Sequence, residues 1–80
     1  MIKIFGKPQC PYCVQAKSLC EREGLPYEYF QLGEDFTREE LLEDFPNART
    51  FPQITDGTEY VGGFDQLKAR VDLRKMDDLL

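Results

Sequence analysis

The stretch Gly6–Lys17, GKPQCPYCVQAK, decides the fold, because it places two cysteines at the junction of a strand and a helix. Residues 1–5, MIKIF, alternate apolar and polar side chains and predict a short strand. From Pro11 the apolar period becomes helical, and proline suits a first helical turn, where its missing N–H costs nothing. We therefore predict Cys10 in the N-cap region and Cys13 one turn into the helix.

The remaining patterns predict the order β-α-β-α-β-β-α. After the first helix we expect a strand at 27–32, a helix from Arg38 to Phe45 opened by a capping box of Thr37 and Glu40, a hairpin turning at Asp56-Gly57, and a last helix from Phe64. A helical crossover between the first two strands makes them parallel, whereas the hairpin is antiparallel. The expected fold is a single α/β domain over residues 1–80, with a mixed four-stranded sheet flanked by three helices.

Composition excludes several classes of protein. The chain has 80 residues, a net charge of −5 and no histidine, which argues against nucleic-acid binding. No apolar run is long enough for a membrane span, and the N-terminus lacks the apolar region of a signal peptide, so we expect a cytoplasmic protein. With no large apolar stripe we expect a monomer. Acidic residues predict a solvated surface at Glu39, Glu40, Glu43, Asp44, Asp77 and Asp78.

The three cysteines have several possible roles. An odd count in a reducing compartment argues against a permanent structural disulfide. A structural zinc site needs four ligands, and Cys20 would lie about 10 Å along the helix from Cys13, too far to close one. Cys20 falls on the apolar row and is predicted to pack in the core. Cys10, in a turn before proline, is predicted to be exposed.

A redox role explains the pair Cys10 and Cys13 best. The free N–H groups and the positive end of a helix favour an anion at the N-cap, and Lys7 adds a nearby positive charge. Both features favour the reactive thiolate form of Cys10. Cys13 is close enough to form a disulfide with it and is less exposed, which suits a resolving thiol. A CxxC sequence at the first strand–helix junction of a βαβ unit indicates a thioredoxin-like redox motif.

Three separated motifs together resemble the glutaredoxin family. They are CPYC at Cys10–Cys13, TFPQI at Thr50–Ile54 and GGFDQL at Gly62–Leu67, so the resemblance covers nearly the whole chain. It implies a glutathione-dependent oxidoreductase that reduces protein disulfides and glutathione mixed disulfides. Cys10 is then the nucleophile and Cys13 the resolving thiol. Glutathione is the co-substrate, and no cofactor is bound permanently.

The same resemblance implies a glutathione site. Pro52 would be a cis-proline, and the backbone of Phe51, with Thr50 beside it, would pair with the cysteine portion of glutathione like an added strand. The γ-glutamyl end would meet the start of the last helix at Gly63, Phe64 and Asp65. Its remaining contacts would come from Tyr12, which flanks the ligand, and from Lys7 and Arg49, which would pair with the glycine carboxylate.

Simpler interpretations of these residues stay open. Asp65 also suits an ordinary helix N-cap, and loop arginines such as Arg49 are usually only solvated. The family often has a small residue at the position of Phe64, so packing near the glutathione amine is expected to differ. Two other functions also remain. One is an electron donor driven by thioredoxin reductase, for example to ribonucleotide reductase. The other is a [2Fe–2S] carrier in which two chains and two glutathiones ligate the cluster.

Overall fold

The computed structural model describes the backbone of residues 1–79 and the side chains of residues 1–76. The predicted acidic surface at Asp77 and Asp78 therefore lies outside the described side chains. Within the described chain, no helix is both long and apolar enough to cross a membrane. The elements are β1 Ile2–Gly6, α1 Pro11–Arg22, β2 Tyr27–Gln31, α2 Arg38–Asp44, β3 Gln53–Asp56, β4 Glu59–Gly62 and α3 Phe64–Leu79, in the predicted order.

The four strands form one mixed sheet in the order β2-β1-β3-β4. β1 runs parallel to β2, as the crossover through α1 predicts, and antiparallel to β3. The β3–β4 hairpin is antiparallel. Ile4 lies at the centre of the sheet, paired with Tyr29 on one side and Ile54 on the other. This arrangement confirms the predicted fold class.

Alternation along β1 sorts its side chains between two layers. Ile2 and Ile4 pack against α1 and α3, because alternate strand residues face the same side. The core on this side consists of Ile2, Ile4, Ala16, Leu19, Cys20, Ile54, Leu67 and Val71. Phe5 faces the other side, where its ring contacts those of Phe30, Phe36 and Phe45. The short helix α2 and its flanking loops contribute to this second, aromatic layer.

Two predicted boundaries are wrong by one residue. Helix α2 ends at Asp44, because Phe45 leaves the helical conformation and packs its ring on Phe5 and Tyr60. The hairpin turn consists of residues 57–58, and Asp56 stays in β3. Gly57 takes the first turn position with φ 63°, a conformation that suits glycine.

The predicted caps are confirmed. The side chain of Thr37 accepts a hydrogen bond from the Glu40 backbone, and the Glu40 side chain accepts one from the Thr37 backbone. Helix α1 begins with Pro11 and ends before Gly24, which has φ 65°. These local signals position the start of α1, where the cysteine pair lies.

Candidate active site: a cysteine pair beside an open groove

Cys10 is the N-cap residue of α1 and forms a disulfide with Cys13, their Cα atoms 5.2 Å apart. The backbone N–H of Cys13 donates a hydrogen bond to Cys10 Sγ over 3.2 Å. Pro11, at the first helical position, supplies no competing donor. The Cys13 N–H and the positive end of α1 therefore lie at the Cys10 sulfur, and both stabilise a thiolate there after reduction.

The prediction that Cys10 is exposed is wrong. Only 6% of the residue is accessible, and Cys13 is fully buried. The reason is a contact between distant segments: Cys10 Sγ lies 3.9 Å from the carbonyl oxygen of Phe51, 41 residues further along the chain. The loop before β3 therefore covers the sulfur from one side.

An open groove of about 250 Å³ lies along this loop and the start of α3. The Phe51–Pro52 peptide bond is cis, as the resemblance implied. The lining residues are Tyr12, Thr50, Phe51, Pro52, Gly63, Phe64, Asp65 and Gln66. The structure thus brings most of the predicted binding residues together. A larger concavity, about 640 Å³, lies around Lys3, Phe45 and Tyr60 and contains no cysteine.

Two aromatic side chains, Tyr12 and Phe64, line this groove. The rings of Tyr12 and Phe64 are stacked with their centroids 6.1 Å apart. Tyr12 is exposed, whereas Phe64 is half-buried and packs against the core beneath α3. The bulky Phe64 therefore forms part of an aromatic wall that a small residue could not provide.

The two predicted cations lie outside the groove lining. Lys7 Nζ stands 5.6 Å from the centroid of the Phe51 ring, so this positive charge stays next to the groove. Arg49 lines a separate small concavity with Arg38, Leu41 and other residues. That concavity shares Thr50 and Phe51 with the groove, but Arg49 does not line the groove.

Sequence reasoning missed two glutamines. Gln66 lines the groove, and its Oε1 accepts a hydrogen bond of 2.9 Å from the Gly63 backbone N–H. Gln53 is almost fully buried, and its amide bonds to the carbonyl oxygen of Thr50. A signal was present for each: Gln66 lies three residues after Gly63, which is typical of capping, and Gln53 is a polar residue in a buried strand.

Cys20, the third cysteine, is fully buried in the core, as predicted. Burial, and then the negative charge of Glu21, raise the pKa of its thiol. A buried thiol with a raised pKa supplies little thiolate, so Cys20 does not compete with the pair at the start of α1.

The glutaredoxin family model matches residues 2–61, which include the cysteine pair and the cis-proline. The chain belongs to the glutaredoxin family. A glutaredoxin of Pseudomonas aeruginosa is 36% identical over 80 residues, covering 99% of this chain and 94% of that protein. A hybrid peroxiredoxin of Haemophilus influenzae is 39% identical over 67 residues, which cover 84% of this chain but only 27% of that larger protein.

Solved glutaredoxin structures share this architecture. The crystal structure of a buckwheat glutaredoxin–glutathione complex superposes with a TM-score of 0.77 at 25% identity, covering 99% of this chain and 74% of that one. The fold of this family member is thioredoxin-like, and its CxxC pair makes it a thiol–disulfide oxidoreductase.

Proposed function

We propose that this glutaredoxin-family protein is a glutathione-dependent oxidoreductase that reduces glutathione mixed disulfides and protein disulfides. The observation that carries the proposal is the groove beside the cysteine pair, which runs from the loop at Phe51 to the start of α3. Glutathione is a tripeptide with two carboxylates and one amine. Its recognition therefore needs a partner for its backbone and partners for its charged ends.

The loop before β3 suits the backbone of glutathione. Within the described chain, the N–H and C=O groups of Phe51 make no hydrogen bond to other backbone atoms. Unpaired backbone groups of an extended segment can bind a peptide in the manner of an added strand. A glutathionyl cysteine in this position places its sulfur near Cys10, because the Phe51 carbonyl already lies beside Cys10 Sγ.

The start of α3 suits the γ-glutamyl end. The first N–H groups of a helix have no partner within the helix and attract carboxylates. The Gly63 N–H already donates a hydrogen bond to the Gln66 side chain, so the N–H groups of Phe64 and Asp65 are the ones left for the ligand. The exposed Asp65 carboxylate faces the same groove and can pair with the amine. Lys7 supplies the positive charge near Phe51 for the glycine carboxylate.

The reaction is thiol–disulfide exchange. The Cys10 thiolate attacks the glutathione sulfur of a mixed disulfide, whose S–S bond breaks, and the substrate leaves as a thiolate that takes up a proton. A second glutathione thiolate then attacks the glutathionyl sulfur on Cys10 and releases glutathione disulfide. With a protein disulfide, Cys13 attacks Cys10 instead and frees the reduced substrate. Two glutathiones then reduce the Cys10–Cys13 disulfide.

The proposal also covers the cellular compartment and the class of protein substrates. Glutathione acts as a reductant in a reducing compartment, so we place the protein in the cytoplasm. Its partners are glutathionylated proteins and proteins with redox-active disulfides, among them a ribonucleotide reductase.

Turnover of a small glutathione mixed disulfide, coupled to glutathione reductase and NADPH, tests the proposal. Cys10→Ser should abolish activity, because it removes the attacking sulfur. Cys13→Ser should keep activity on the mixed disulfide and lose it on a protein disulfide. Cys20→Ala is the control for loss of a thiol and should keep both activities. A folded wild-type protein with no activity in this assay would contradict glutathione dependence.

A further inference from the structure

Gln53 is a buried polar side chain next to the groove but not part of its lining. Only 3% of the residue is accessible, and it lies at the start of β3, directly after the cis-proline. Its Nε2 donates a hydrogen bond of 2.7 Å to the carbonyl oxygen of Thr50. Its Oε1 accepts one of 2.6 Å from the hydroxyl of Tyr60 on β4.

The chemistry of the partners fixes this orientation. A backbone carbonyl can only accept a hydrogen bond, so the amide nitrogen of Gln53 must face Thr50. Its oxygen then faces Tyr60, whose hydroxyl donates. The Tyr60 ring contacts the ring of Phe45, with centroids 5.6 Å apart. The Thr50 carbonyl is thereby linked through Gln53 to the Tyr60 hydroxyl on β4.

Fixing the Thr50 carbonyl also fixes the N–H of Phe51. Both groups belong to one planar trans peptide unit, in which C=O and N–H point in opposite directions. A hydrogen bond that holds the carbonyl towards Gln53 therefore turns the N–H of Phe51 away from the Gln53 amide. This N–H is the donor that an added peptide strand requires.

We propose that Gln53 is a positioning residue that orients the Phe51 N–H to pair with the backbone of a disulfide-bearing peptide, with Tyr60 holding the Gln53 amide. This inference rests on the proposed function, because that function supplies the peptide. Gln53 acts on capture of the substrate and leaves the sulfur chemistry of Cys10 unchanged.

The test compares disulfides with and without peptide groups. The fully reduced protein reacts with glutathione disulfide, with the disulfide of N-acetylcysteine methylamide, or with bis(2-hydroxyethyl) disulfide. In each reaction Cys10 attacks one sulfur and releases one thiol, then Cys13 attacks Cys10 and releases the second. The protein loses two electrons, which the disulfide gains. Acid quenching and mass spectrometry give the rate constants.

Gln53→Met keeps the side-chain length and removes both hydrogen bonds. We expect oxidation by the two peptide disulfides to slow about tenfold, the effect of one lost hydrogen bond that orients a binding group. Oxidation by bis(2-hydroxyethyl) disulfide should stay within about twofold, since this disulfide has no backbone to pair. Gln31→Met, the same change at the end of β2, should leave all three rates unchanged. Equal slowing with all three disulfides, or no slowing with any, would overturn the proposal.

Two further variants separate positioning from packing. Tyr60→Phe keeps the ring and should slow the peptide disulfides by a smaller factor, about twofold to threefold, because Gln53 keeps its bond to Thr50. Gln53→Glu introduces a carboxylate, which cannot donate to Thr50 until it is protonated. The ratio of variant to wild-type rate for the peptide disulfides should therefore rise as the pH falls. A ratio that is independent of pH would contradict the role of the donor.

The two proposals fail in different ways. If the wild-type protein reacts no faster with glutathione disulfide than with the N-acetylcysteine methylamide disulfide, glutathione recognition fails. The effect of Gln53→Met on the rate with the N-acetylcysteine methylamide disulfide, compared with its effect on the rate with bis(2-hydroxyethyl) disulfide, still tests the role of Gln53.

Discussion

Replacing Leu67 tests the packing that holds the start of α3 against the sheet. Leu67 is fully buried in the core, two residues after Asp65, and its backbone N–H donates to the Gly63 carbonyl. It therefore anchors the first turn of α3, from which the groove residues project. Leu67→Ala removes its side chain beyond Cβ and leaves a cavity in the core between the sheet and the two helices α1 and α3.

The expected cost follows from this burial. A fully buried Leu→Ala change costs about 3–5 kcal/mol, whereas a domain of this size has a total unfolding free energy of about 4–12 kcal/mol. With a urea m-value of about 1 kcal/mol per molar, the midpoint should fall by about 3 M or more. The variant should thus keep at most about 9 kcal/mol of unfolding free energy, and about 1 kcal/mol or less if the wild type lies at the lower end of that range.

The assay is urea unfolding followed by far-UV circular dichroism, with both proteins fully oxidised so that the disulfide constrains their unfolded states equally. Leu73→Ala is the matched control on the same helix. Leu73 is 63% exposed, so its replacement should change the unfolding free energy by less than about 0.5 kcal/mol. Similar losses of unfolding free energy in Leu67→Ala and Leu73→Ala would refute the inferred packing of α3.

Three further predictions concern single groups. Lys7→Met should lower kcat/KM for a glutathione mixed disulfide about twofold to fivefold, and added salt should reduce this difference from wild type. Arg49→Met, which removes the same charge, should leave kcat/KM unchanged. A larger effect of Arg49→Met would show that Arg49, not Lys7, pairs with the glycine carboxylate. In the oxidised native protein, Cys20 should resist iodoacetamide and take up one carbamidomethyl group only after unfolding in urea, as mass spectrometry would show; rapid labelling of the native protein would contradict its burial. The hydrogen bond to Glu21 raises the pKa of Tyr27 from 10.0 to about 12, so the folded state holds this proton more tightly and the bond's contribution is lost as the pH rises through that interval. The difference in unfolding free energy between wild type and Tyr27→Phe should accordingly disappear between pH 10 and about 12. A difference that stays constant over this interval would show that the hydrogen bond to Glu21 does not contribute to stability.

The sequence predicted those features that depend on neighbouring residues. The Thr37–Glu40 capping box, the proline at the start of α1 and the N-cap position of Cys10 all act within one helical turn. The directions of β1 and β2 and of the β3–β4 hairpin followed from one crossover and one hairpin, whereas the position of β1 beside β3 came from the structure. Boundaries failed where a distant contact intervened, as when the Phe45 ring packed on Phe5 instead of continuing α2.

The parts of the site that could not be predicted depend on contacts across the chain. The burial of Cys10 comes from the Phe51 carbonyl, and no local pattern near Cys10 encodes it. Gln53 differs, because a polar residue in a buried strand was a signal, but its hydrogen bond with Tyr60 depends on how the β3–β4 hairpin folds. The placement of Arg49 also depends on how its loop turns, since adjacent residues Thr50 and Phe51 do line the groove.

In the proposed mode of binding, the burial of Cys10 and the unpaired backbone of Phe51 together limit how a substrate approaches. A sulfur with only 6% of its residue exposed cannot be reached from every direction, and the Phe51 loop covers one side of it. A disulfide carried on an extended peptide can lie along that loop, and the backbone pairing then offsets part of the cost of ordering the chain. A disulfide held rigidly in a folded protein cannot make this pairing without local opening. Reactivity should therefore follow the accessibility of the substrate's backbone around its cysteine, in addition to the reduction potential of its disulfide.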